Sequence, residues 1–204
     1  MTLDATISAI LQNQEPAIRR AFENAIKDIR NGAKLTALRN ALKIGDIEGA
    51  VAAVEIDNAA FGELRGAILN AYAQTGTAQI NGVTWVYPDG TKAVVRWNMA
   101  SPRAEEYARQ IGTGLITNTT ADMREAVRGV IADGYAFGRK WDDIARDIVG
   151  RVGSSGKRSG GIVGLSKVQA NWLMSMRAKL AQGDYKGALD MSLLKDKRLR
   201  KMLE

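Results

Sequence analysis

The stretch Glu15-Pro-Ala-Ile-Arg-Arg-Ala-Phe-Glu-Asn-Ala-Ile-Lys-Asp-Ile-Arg30 sets Ile18, Phe22, Ala25, Ile26 and Ile29 three and four residues apart. Side chains at that spacing share one face of an α-helix, so the run predicts an amphipathic helix with a single apolar stripe. Pro16 is tolerated in a first helical turn, where its missing N–H is no loss, and marks the expected start. Outward from this helix the same period recurs. Ile7, Ile10 and Leu11 predict a shorter helix before it, and Gly32 is its expected stop. Leu35, Leu38 and Leu42 then predict a helix up to Gly45. Asp46 is placed to cap the next, which carries Ile47, Val51, Val54 and Ile56. Phe61, Leu64, Ile68, Leu69 and Tyr72 predict a fifth. The fold class is therefore mainly α, a multi-helix assembly.

The period changes between Thr77 and Trp97. Ile80, Val83, Trp85, Val86 and Tyr87 precede Pro88-Asp89-Gly90, and Ala93-Val-Val-Arg-Trp97 follows, which is a turn between two β-prone runs. One β-hairpin near residues 78–98 is expected. A lone two-stranded hairpin is marginal in water, so it needs helices, another copy or a partner protein against it. For Trp85, Tyr87 and Trp97, core packing outweighs a contact surface, and the three are also the candidate partner-interface residues.

Helical spacing returns at Pro102, after Ser101. Tyr107, Ile111, Leu115 and Ile116 share a face, and Thr119-Thr120 reads as the N-cap of a second helix carrying Met123, Val127, Val130, Ile131 and Tyr135 up to Gly138. Trp141 to Val149 predicts a further short helix that buries Trp141, Ile144, Ala145 and Ile148. Asp142, Asp143 and Asp147 then fall on its polar side, read as a solvated face in preference to a metal site. A helix-turn-helix reading of this corner is not favoured, because a recognition helix carrying three aspartates would repel phosphate. The division expected along the chain is a helical region over 1–76, the hairpin over 77–100 and a helical, basic region over 101–204.

Composition narrows the chemistry. The 204 residues hold no histidine and no cysteine. That excludes disulfides, Cys/His zinc sites, Cys–His dyads and Ser–His–Asp triads, and leaves an enzyme only Ser–Lys or paired-carboxylate routes. The 46% apolar content is enough for a core. No apolar run approaches the roughly 18 residues of a membrane span, and no secretory leader is read, so a soluble chain is expected. The net charge of +7 is unevenly spread: residues 151–204 carry +8, and the body before them is close to neutral.

That basic end begins with Val152-Gly-Ser-Ser-Gly-Lys-Arg-Ser-Gly-Gly161. A Walker loop would need Lys followed by Ser or Thr at a helix start, whereas Arg158 follows Lys157, so the glycine-rich stretch reads as a flexible connector that leaves both cations mobile. Leu165, Val168, Trp172, Met176 and Leu180, with Leu173 beside them, predict a helix with one strong apolar face, and Trp172 reads as core. Lys195-Asp-Lys-Arg-Leu-Arg-Lys201 closes the chain with five cations against one acid. It reads either as a solvated tail or as a sequence-indifferent contact with DNA phosphates, without aromatic residues for base stacking.

The basic Gly-flanked loop, Gly164-Leu-Ser-Lys-Val-Gln-Ala-Asn-Trp172, Arg177-Ala-Lys-Leu180 and Lys195-Asp-Lys-Arg198 together resemble the tailed-phage head-morphogenesis proteins, the minor head proteins similar to the Mu F type. The likeness extends more loosely back through Leu115-Ile116, Met123-Arg124 and Gly138 to Ile148. The family's further Arg-Thr-Glu segment has no counterpart up to Glu204. The resemblance implies a structural, non-enzymatic protein of the phage head interior or portal vertex, assembled in the host cytoplasm. Its implied partners are portal or capsid proteins and packaged double-stranded DNA, with no cofactor and no membrane; a homo-oligomer is compatible with it. The candidate nucleic-acid-binding residues are Lys157, Arg158, Lys167, Lys195, Lys197, Arg198, Arg200 and Lys201. Two alternatives stay open: a sequence-independent DNA-binding or regulatory protein, and an enzyme acting on DNA or cell wall without His or Cys.

Overall fold

A computed structural model describes residues 3–82, 84–93, 95, 97–98 and 101–191. The chain is mainly helical, as its periodicity predicts. Its helices are α1 (Leu3–Gly32), α2 (Leu35–Ile44), α3 (Ile47–Ala53), α4 (Gly62–Asn81), α5 (Pro102–Ala136), α6 (Trp141–Val149), α7 (Lys167–Ala181) and α8 (Tyr185–Leu189). A 3-10 turn over Asn58–Phe61 leads into α4. Among the described residues there are also two antiparallel ladders: β1 (Trp85–Val86) with β2 (Lys92–Ala93), and β3 (Arg151–Val152) with β4 (Arg158–Ser159).

The residues group into two compact units that interleave along the chain. Residues 1–34 and 54–121 form one, and residues 35–53 and 122–204 the other. In the first, α1 packs on α4, and Phe61 is fully buried with its ring 6.1 Å from Phe22. Ala21, Ala25, Ile26 and Ile29 supply the buried stripe of α1. In the second, α2 packs on α3 and α6. Its core holds Leu38, Leu42, Met123, Val127, Val130, Ile131, Ile144, Ile148, Ile162 and Val163.

Three boundaries differ from the sequence reading. First, α1 runs through Pro16 instead of starting there. Proline removes one backbone donor, and here it sits on the exposed side, where water can take the freed carbonyl. Second, α5 is continuous across Thr119-Thr120. The Thr119 hydroxyl donates to the Leu115 carbonyl at 2.8 Å, and Thr120 Oγ1 lies 3.0 Å from the Thr117 carbonyl and 2.7 Å from Asn58 Oδ1. Hydroxyls that bond back to the preceding turn accommodate a helix, where caps would begin one. Third, α4 continues to Asn81, so the first hairpin is shorter than the expected 78–98. Its turn is as read: the Gly90 N–H donates to the Tyr87 carbonyl at 2.9 Å, and the Tyr87 N–H to the Thr91 carbonyl at 2.8 Å.

The glycine stops and the aspartate cap fall where predicted. Gly45 and Gly138 adopt positive φ just past α2 and α5, and the amides of Asp46 and Arg139 bond back to the carbonyls of Ala41 and Gly134, at 2.9 and 2.8 Å. Asp46 Oδ1 accepts from the Gly49 amide at 2.8 Å and starts α3.

Candidate nucleic-acid interface

The connector expected over 152–161 is an ordered hairpin. In β3–β4, Arg151 faces Ser159 and Val152 faces Arg158. The turn is closed by the Gly153 amide on the Lys157 carbonyl at 2.9 Å and the Gly156 amide on the Gly153 carbonyl at 3.0 Å. Its base is held by a close crossing of two glycines. A Cβ at Gly150 would lie 2.3 Å from the Ser159 carbonyl oxygen, and one at Gly161 would lie 2.5 Å from the Gly150 nitrogen. Both have positive φ, which glycine adopts without strain. Directly after the crossing, the Ile162 amide reaches the Asp147 and Ile148 carbonyls at 2.9 and 3.1 Å, satisfying the open end of α6. Ile162 and Val163 are buried. The mobility expected of the glycines is thus overturned: they allow backbones to touch and tie the hairpin to a core helix.

The acidic face of α6 is not simply solvated. Asp142 pairs with Arg39 at 2.6 Å and also with Arg146, while Asp143 pairs with Arg146 at 3.2 Å. Asp147, mostly buried, bridges Arg139 at 2.5 Å and Arg177 at 3.1 Å. Arg146 lies on α6 itself, and Arg39, Arg139 and Arg177 come from α2, the α5–α6 link and α7, all in the second unit. Trp141, expected to be buried, is exposed.

No Asp or Glu occurs between Asp147 and Asp184 in the sequence, and among the described residues no ion pair engages Arg151, Lys157 or Lys167. Arg151, Lys157 and Lys167 are exposed. Arg158 is half-buried, with Nη1 3.5 Å from the Gly150 carbonyl. Lys167 opens α7, behind a capping box in which the Gln169 amide donates to Ser166 Oγ at 3.3 Å and the Ser166 amide to Gln169 Oε1 at 3.0 Å. The other cations of the stretch are engaged: Arg177 by Asp147, and Lys179 by Asp184 at 3.0 Å. The Asp184 carboxyl is held below its usual range by the Gly187 amide first and Lys179 second.

The structure therefore joins Lys157 and Arg158 on one hairpin and adds Arg151, which the sequence reading had not singled out. Its signal was the alternation Arg151-Val152 beside a turn. Lys195, Lys197, Arg198, Arg200 and Lys201 lie outside the described residues. The apolar stripe expected on α7 is only partly covered, with Ala170 buried, Trp172, Leu173 and Met176 half-buried, and Val168 and Leu180 exposed.

Of the aromatic candidates, Tyr87 is exposed, and Trp85 lies in β1. Trp97 is half-buried on α4: a Cβ at Gly76 would meet its ring at 2.3 Å, and the Tyr72 ring stands edge-on at 5.7 Å.

Among the described residues no group of three acidic side chains has a metal-holding arrangement, and no helix is long and apolar enough to cross a membrane. No protein-family model, curated protein or solved structure matches the chain.

Proposed function

We propose that this chain is a non-enzymatic minor head protein of a tailed phage, bound to portal or inner capsid, whose basic C-terminal region contacts packaged double-stranded DNA. The observation that carries the DNA contact is that Arg151, Lys157 and Lys167 are exposed and without an ion-pair partner among the described residues, in a stretch whose neighbouring aspartates are paired with arginine. Free cations on such a surface release counterions from DNA when they meet phosphate, so binding is sequence-independent and falls steeply with salt. The resemblance over Gly164–Trp172 and Lys195–Arg198 supports the phage-head context. The helices and the first hairpin supply the protein contacts in this reading, and the basic run at 195–201 adds to the DNA contact.

The test is binding of the full chain to arbitrary duplex DNA across a salt series. A linear fall of log affinity with log salt, equal for unrelated sequences, is the expected result. No binding at low salt refutes the DNA contact. Strong preference for one sequence would favour a regulatory DNA-binding protein instead.

A further inference from the structure

We infer that the β3–β4 hairpin is a preformed cationic finger, and that Arg151 and Lys157 on it seat on the phosphates of duplex DNA. The inference rests on the DNA-contacting reading above and assigns that contact to one rigid element. Four observations carry it. The finger's base is immobilised: Gly150 and Gly161 cross at backbone contact, and Ile162 is hydrogen-bonded to the end of α6 and buried. Its turn is closed by two backbone hydrogen bonds, so the side chains are presented from a defined ladder with Arg151 at one end and Lys157 beside the tip. Neither cation has an ion-pair partner among the described residues, in contrast to Arg39, Arg139, Arg146 and Arg177 of the same unit. The tip residues Ser154 and Ser155 are exposed and small, and no carboxylate lies within the hairpin to repel a polyanion.

A rigid presentation matters because ordering a mobile loop at an interface costs conformational entropy, and a backbone fixed before binding removes that cost. Duplex DNA is the fitting polyanion. Its major groove admits a two-stranded ribbon, and its phosphates line both walls. An acidic protein surface offers no such regular pair of anionic rims.

The experiment compares three full-length proteins on duplex DNA: the parent, Arg151→Ala/Lys157→Ala, and a charge-matched control, Lys43→Ala/Lys140→Ala. The control removes two exposed cations of the same unit that lie off the hairpin. Each phosphate contact adds about 0.9 to the salt slope, so the hairpin variant should lose about two units of slope and roughly 10- to 100-fold in affinity at 0.1 M salt. The control should keep the parent's slope, and both variants should keep its helical signal and urea midpoint.

The cysteine-free chain allows a second readout. Ser155→Cys carrying a tethered iron chelate should cleave bound DNA, and adding Arg151→Ala/Lys157→Ala should suppress the cleavage at equal DNA occupancy. Equal slopes for the parent and the hairpin variant, with DNA still bound, overturn the finger and leave the DNA-contacting reading standing. Equal slope losses in hairpin variant and control also overturn it, since the contact is then diffuse. If the parent binds no DNA at low salt, both fail.

Discussion

Replacing Gly161 with Ala would put a methyl group 2.5 Å from the Gly150 nitrogen and 2.6 Å from the Ile148 carbonyl oxygen, at a φ of +78°. Two costs follow. The left-handed backbone strains an L-residue by about 1–2 kcal/mol. Relieving the clash requires the chain at 161 to move off the end of α6, because both nearest atoms belong to backbone. That movement stretches the hydrogen bonds donated by the Ile162 amide and loosens two buried side chains, Ile162 and Val163, adding roughly 1–3 kcal/mol. Gly156→Ala is the internal control: its φ is +73°, yet nothing lies within 4 Å of the added carbon, so only the strain applies. The expected destabilisation is roughly 2–5 kcal/mol at 161 and about 1–2 kcal/mol at 156. For a unit of about a hundred residues, a gap of 2 kcal/mol separates the melting temperatures by roughly 8–16 °C. Thermal unfolding, with amide exchange at Ile162 as the local probe, reads both. Equal losses at the two positions would refute the claim that the glycine crossing anchors the hairpin.

Thr120→Val keeps the shape of a buried side chain but removes the hydroxyl beside Asn58 Oδ1, and should lower stability by about 1–2 kcal/mol in a urea melt. An unchanged midpoint would mean that Asn58 finds water at no cost. Gly76→Ala should displace the Trp97 ring, since the added carbon would lie 2.3 Å from it, and shift tryptophan emission to the red. The same shift in a Gly66→Ala control, where space is open, would remove the assignment. The depressed Asp184 carboxyl stabilises α8 at pH values above about 4, its unfolded range, and that contribution is lost as pH falls through the lower folded value. The Gly187 amide resonance should move in that acidic window in the parent and stay fixed in Asp184→Asn, which keeps the accepting oxygen without the charge.

Local pattern was enough for the helices because burial of an apolar stripe and the stereochemistry of caps are written within a few residues. The stripe from Ile18 to Ile29, the cap at Asp46, the glycine stops at 45 and 138, and the helix from Trp141 to Val149 all follow from neighbours three or four apart. The breaks expected at Pro16 and Thr119-Thr120 were misread for one reason. A proline or threonine permits a helix end without requiring it, and the surroundings decide: an exposed helix face at one place, Asn58 at the other.

The candidate interface was half legible. The surplus of positive charge after Arg151 is a property of composition, and the turn glycines are plain in the sequence. The pairing of Arg151 with Ser159 and the crossing of Gly150 with Gly161 depend on contacts that no local period encodes. So does the fate of Asp142 and Asp147, whose partners Arg39 and Arg177 lie 103 and 30 residues away in the chain. By itself the sequence determined helix type, the charge distribution and the loss of His and Cys chemistry. Tertiary structure alone decided that residues 35–53 join those from Asp122 onward, and which cations stay unpaired: a charge is free or spent according to what folding brings within a few ångströms of it.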